Sequence, residues 1–145
     1  MSNTDNTISL QRYTDAQKTD FEQALSEIRN GRKQTHWMWY IFPQIAGLGF
    51  SETSRYYAIK DLAEAERYLN HQILGKRLIL ICEALLALDS NNAEKIFGNP
   101  DVLKLQSSMT LFSSVTGSSP LFSMVLDKFF DGMKDKKTLE KIAKA

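Results

Sequence analysis

The chain has 145 residues, of which 43% are hydrophobic and 24% charged, and this length and composition argue against a disordered or fibrous protein and against two full domains. Eighteen basic and 17 acidic side chains leave a formal net charge of +1, which argues against strong binding to nucleic acid or to an anionic membrane. The single cysteine, Cys82, has no partner within the chain, the polar start lacks a secretory pattern, and no apolar run is long enough to span a bilayer. We therefore expect a soluble cytoplasmic protein.

The composition also predicts an all-α fold. Leucine, alanine, glutamate and lysine are abundant, whereas valine occurs only at positions 102, 115 and 125. We assign residues 1–12 to a disordered or extended N-terminal segment and residues 13–145 to a single irregular domain of about seven to eight helices.

The first predicted helix is amphipathic and runs from Asp15 to Asn30. Thr14 is expected to be its N-cap, because Gln17 three residues later completes a capping box. The aromatic run over residues 36–42 fits a short buried helix or a strand, and the helical signals around it favour a helix.

Six further helices are predicted from capping residues and apolar periodicity, over residues 51–59, 62–69, 74–88, 91–97, 100–115 and 120–131. Ser51 is expected to cap the first of them, and Asp61 with Glu64 the second. The helix over residues 74–88 is apolar on most sides, so we expect it to be central and nearly enclosed. The last helix is expected to turn Leu121, Met124, Val125 and Phe129 inward, and the lysine-rich tail after Asp135 to fray.

The segment over residues 31–57 contains both tryptophans and one of the two histidines. A tryptophan buries about 150–250 Å² and still needs a partner for its indole N–H, so such a cluster marks either a core or a binding surface. Composition alone does not decide between these two interpretations.

In the binding hypothesis, Trp37 or Trp39 stacks on a planar group, Lys33 and Arg55 neutralise an anion, and His36 is the acid or base of a hydrolysis or transfer reaction. Two more side chains are placed near this site, Gln44 and Ser51. The ligand would be a small anionic, nucleotide-like metabolite. In the structural alternative, which has about equal weight, the tryptophans fill the core and the cations lie in solvent.

A second group of polar residues lies on the helix after Pro100. Asp101, Lys104 and Ser108 share one face at i, i+3 and i+7, and they could line the same site. The alternative is an ordinary solvated face with a weak Asp–Lys pair, and this alternative is favoured.

Other chemistry has no positive signal in the sequence. There is no Gly-x-Ser-x-Gly turn, no paired metal-binding motif and no phosphate loop, so we predict neither a metal site nor a cofactor. The rival function is a protein-interaction module in which residues Trp37 to Tyr40 form an exposed surface without catalysis. Whether the protein is an enzyme, and its oligomeric state, stay open.

Several stretches carry a family resemblance, among them Gly31-Arg-Lys-Gln-Thr-His-Trp-Met-Trp-Tyr-Ile-Phe-Pro-Gln, Gly47-Leu-Gly-Phe-Ser and Lys104-Leu-Gln-Ser-Ser-Met-Thr-Leu-Phe. The chain resembles domain-of-unknown-function family 1810 from about Tyr13 to Leu139. The resemblance implies a small all-helical fold and no established reaction. Bacterial members are sometimes labelled calpastatin-like, but no motif here supports protease inhibition. His71-Gln72 stands where the family usually has His-Pro, which is expected to loosen the start of the central helix.

Overall fold

The computed structural model describes the backbone from Ser2 to Ala145 and the side chains from Leu10 onward. Over this part of the chain there are nine helices and no strand, which confirms the predicted all-α class. The helices are α1 (Ser2–Arg29), α2 (Met38–Ile41), α3 (Glu52–Tyr56), α4 (Leu62–Asn70), α5 (Leu74–Leu86), α6 (Ala93–Phe97), α7 (Asp101–Ser113), α8 (Leu121–Phe130) and α9 (Lys136–Lys144). Between Ser2 and Ala145, none of them combines the length and apolarity needed to cross a bilayer.

Helix α1 starts much earlier than the predicted Asp15. It runs unbroken from Ser2, so the segment that we expected to be disordered or extended is helical, with Met1 outside the described residues. Thr14 lies inside the helix and donates to the carbonyl of Gln11, so it is not the N-cap. Leu10 and Tyr13 are buried and extend the apolar stripe of α1 ahead of Asp15, which accounts for the helix as far back as Leu10.

Helix α5 is central, as predicted. It packs against α1, α4 and α8, and buries Leu74, Leu78, Ile81 and Leu85. Its enclosure is incomplete, because Leu80 remains 38% exposed. In α8 the inward face is shifted: Phe122 and Leu126 are buried beside Val125, whereas Met124 is 47% exposed, so its predicted burial is wrong.

The predicted caps of α3 and α4 are confirmed. Ser51 accepts from the amide of Ser54, and Asp61 accepts from the amide of Glu64. At the start of α5, Nδ1 of His71 accepts from the amides of Ile73 and Leu74, so this helix end is capped in spite of the missing proline.

Candidate functional site

The Glu27 carboxylate, near the end of α1, organises the segment that follows. Oε1 accepts from the indole Nε1 of Trp37 at 2.9 Å and from the amides of Gln34 at 2.7 Å and Thr35 at 3.0 Å. Oε2 accepts from the Thr35 hydroxyl and from Nε2 of Gln23. Burial raises the pKa of Glu27, but the hydrogen bonds from Thr35, Gln34 and Gln23 outweigh it and lower the pKa to about 2.

Trp37 is a core residue. Its side chain is 1% exposed and packs against Phe42 and Phe97. With its indole N–H bonded to Glu27, it has neither surface nor a free donor for a ligand. We therefore leave Trp37 out of the candidate site, which corrects the binding hypothesis for this residue.

Lys33 is also turned inward, where it meets α7. Its Nζ lies 2.8 Å from Oδ2 of Asp101 and donates to the carbonyl of Thr35 at 2.6 Å. The other oxygen of Asp101, Oδ1, accepts from Nζ of Lys104 at 3.1 Å. Burial raises the pKa of Asp101, but the two ammonium groups outweigh it and hold that pKa below its ordinary value.

A cleft of about 610 Å³ opens beside this ion-pair cluster. Its walls are α2, the loop over residues 44–49, the end of α3, one face of α7 and the start of α9. The cleft joins segments that are far apart in the chain. Its polar and aromatic lining is Trp39, Gln44, Ser54, Arg55, Tyr57, Lys104, Ser107, Asp135, Lys136 and Lys137.

Trp39 and Lys104 meet on the wall of this cleft. The ammonium of Lys104 lies 3.9 Å from the centroid of the Trp39 ring, a close cation–π contact. Trp39 is half-buried, in contrast to Trp37 two residues before it. The two tryptophans of the motif therefore have different environments, one in the core and one on the cleft.

Backbone bonds shape the loop that forms the second wall. The amide of Ala46 donates to the carbonyl of Ile59, and the amide of Ile59 donates to the carbonyl of Gln44, both at 2.8 Å. Between these bonds the loop turns at Gly47, whose φ of +97° favours glycine. At Gly49 a Cβ would lie 2.8 Å from Oγ of Ser54, so the loop approaches α3 closely.

The third wall is held by Asp135, the N-cap of α9. Its carboxylate accepts from the amide and hydroxyl of Thr138 and from the hydroxyl of Ser107 on α7. Its own amide donates to Oγ1 of Thr110. These bonds fix the start of α9 against α7, which places Lys136 and Lys137 on the cleft.

Residues 7–142 match the family described as "Protein of unknown function (DUF1810)". The chain belongs to this family. The crystal structure of the conserved hypothetical protein Rv1873 from Mycobacterium tuberculosis is similar to it, with a TM-score of 0.90 and 41% sequence identity over 92% of this chain and 96% of that chain. No curated protein is significantly similar to this chain.

Four of the residues proposed from the sequence line the cleft of this DUF1810 domain: Trp39, Gln44, Arg55 and Lys104. Lys33 lies behind the cleft on Asp101, and Ser51 caps α3. Ser108 is fully buried and its hydroxyl has no hydrogen-bond partner. These three residues do not line the cleft, so we leave them out of the candidate site.

His36 does not line the cleft either. It is exposed, and its backbone carbonyl accepts from the hydroxyl of Tyr40 at 3.2 Å. An acid or base must reach the reacting atoms, so this position does not support the catalytic role that we expected for His36.

The cleft residues on α9 and Tyr57 were not among those expected from the sequence. A local signal did exist for α9, since aspartate is a preferred N-cap residue and Asp135 stands directly before this helix. The lysines that follow it were expected to form a solvated tail, but Lys136 and Lys137 line the cleft.

The surface proposed for an interaction module is not continuous. Trp37 and Met38 are buried, while Trp39 and Tyr40 are half-buried. The hydroxyl of Tyr40 donates to Asp20. Residues 37–40 of the DUF1810 motif therefore do not form one exposed patch.

Proposed function

We propose that this DUF1810 domain binds a small anionic molecule with a planar group, such as a nucleotide, in the cleft beside Trp39. The observation that carries this proposal is the pairing of an indole ring with the ammonium of Lys104 on the cleft wall. An indole offers a stacking surface for a planar group, and an ammonium offers charge to a phosphate or carboxylate. The two together suit a ligand that has both parts.

The charge of the cleft supports an anionic ligand. Arg55, Lys104, Lys136 and Lys137 line it, against one acidic residue, Asp135. The cleft is therefore locally basic in a chain whose formal net charge is only +1.

The size of the cleft fits the same class of ligand. Sites for small molecules and cofactors span about 300–1,000 Å³, with mostly apolar walls and a few polar groups. The cleft, at about 610 Å³, lies within this range. Ile45, Leu48 and Leu103 supply part of its apolar lining.

Tryptophan fluorescence tests the proposal directly, because the two tryptophans differ in access. We expect ADP to quench the emission of the wild-type protein, and expect Trp39→Phe, which leaves only the buried Trp37, to lose this response. Lys104→Met should weaken ADP binding, whereas Lys18→Met, at an exposed position of α1, should not.

A second titration separates the two parts of the ligand. Inorganic pyrophosphate carries the charge without the planar group, and adenosine carries the ring without the charge. We expect ADP to bind more tightly than either one. The proposal is overturned if no member of the series stabilises or quenches the protein, or if ADP quenches Trp39→Phe as strongly as wild type.

A further inference from the structure

Asp101 pairs with two lysines through different oxygens. Oδ2 lies 2.8 Å from Nζ of Lys33, and Oδ1 lies 3.1 Å from Nζ of Lys104. The side chains of Asp101 and Lys104 are 19% and 20% exposed, so this is not an ordinary solvated pair on a helix surface.

The two lysines differ in how firmly they are held. Lys33 is 6% exposed at its side chain and also donates to the carbonyl of Thr35. Its backbone amide is fixed by the carbonyl of Ile96 at 2.7 Å. Lys104, in contrast, lines the cleft, where its ammonium also lies against the face of Trp39.

We propose that Asp101 competes with the ligand for Lys104: it pairs with this ammonium until an anionic ligand binds, and the ligand then takes the ammonium over. Lys33 makes the exchange possible because it keeps Asp101 paired after Lys104 has moved to the ligand. This inference rests on the proposed function, since it needs an anion in the cleft. It assigns Asp101 and Lys33 roles in setting affinity, although neither one lines the cleft.

The physical reason is the cost of leaving a partly buried carboxylate without a cation. With Lys33 present, Asp101 keeps one of its two cationic partners when Lys104 moves to the ligand. Among the residues whose side chains the structure describes, Lys33 and Lys104 are the cations paired with Asp101, so without Lys33 the carboxylate would hold Lys104 more strongly. The unpaired carboxylate would also repel the incoming anion.

Two substitutions that break the same ion pair should therefore act in opposite directions on affinity. Asp101→Asn removes the competitor and should tighten ADP binding, measured by calorimetry, by about threefold or more. Lys33→Met removes the other cation from Asp101, so Asp101 should hold Lys104 more strongly and ADP binding should weaken by a similar factor. A merely structural role would weaken binding in both variants. Glu66→Gln, which removes an exposed carboxylate from α4, should leave the affinity unchanged.

A second measurement needs no ligand. Acetylation by a dilute amine-reactive acylating agent, followed by peptide mass spectrometry, measures the reactivity of the Lys104 amine. The exposed Lys18 is the internal reference. Relative to Lys18, Lys104 should react faster in Asp101→Asn than in wild type and more slowly in Lys33→Met.

The two measurements separate the failure of this inference from that of the proposed function. If wild type and Asp101→Asn both fail to bind ADP and pyrophosphate, the proposed function fails, and the proposed competition for a ligand fails with it. If ADP binds but both variants shift its affinity in the same direction, the inference alone is overturned. Should Lys33→Met not fold, Asp101→Asn decides: tighter binding and faster acetylation support the inference, and weaker binding or slower acetylation overturns it.

Discussion

The indole N–H of Trp37 donates to Oε1 of Glu27 across ten positions of the chain, at 2.9 Å, and both side chains are buried. The same carboxylate accepts from the backbone amides of Gln34 and Thr35. The end of α1 therefore holds the loop that carries Lys33 toward Asp101. Of the polar residues in the family motif, Thr35 bonds to this carboxylate through its hydroxyl and its amide, and Gln34 through its amide.

Replacing Glu27 with glutamine tests this support. Glu27→Gln keeps the shape of the side chain but removes the charge and turns an acceptor into a donor. We expect it to lower the free energy of unfolding by about 1.5–3 kcal/mol, because hydrogen bonds to a buried charged group are lost. Urea denaturation measures the change. Glu22→Gln, on an exposed position of the same helix, should change stability by less than about 0.5 kcal/mol.

The same carboxylate should make stability depend on pH. The pKa of Glu27 is lowered to about 2 in the folded protein, from an ordinary value of 4.5. Between these values the unfolded chain binds more protons, so the contribution of Glu27 is fully present above about pH 4.5 and is lost as pH falls toward 2.

Urea unfolding at pH 6, 4 and 3 measures this effect. The difference in unfolding free energy between wild type and Glu27→Gln should shrink steadily across the series. A difference that is constant over this range would show that the Glu27 charge contributes nothing.

Gly75 marks a close approach between α4 and α5. A Cβ at this position would lie 2.0 Å from the carbonyl oxygen of Leu69, which belongs to the backbone and cannot easily move. Helix propensity alone predicts that Gly75→Ala is stabilising by about 0.5–1 kcal/mol. We expect the opposite sign, a loss of about 1–3 kcal/mol, because the added methyl overpacks the contact. Thermal denaturation distinguishes the two, and a raised melting temperature would refute the close packing.

Features that depend on residues close together in the sequence, such as helix caps, could be predicted best. The caps at Ser51 and Asp61 are local patterns and were confirmed. The different environments of Trp37 and Trp39 could not be predicted from the sequence, because the buried position of Trp37 depends on the carboxylate of Glu27 on α1. Trp39 depends on Lys104, which is 65 positions away along the chain. The start of α9 has a local signal in Asp135, but its position on the cleft depends on contacts from α7 and could not be predicted from it.

The central claim is that Trp39 faces a ligand site and Trp37 does not. A proton–nitrogen correlation spectrum should contain two indole Nε1–H signals, assigned by the one that disappears in Trp39→Phe. On titration with ADP, the account predicts that the Trp39 signal moves in a saturable way while the Trp37 signal, bonded to Glu27, stays in place. A titration in which neither signal moves, or in which only the Trp37 signal does, would contradict it.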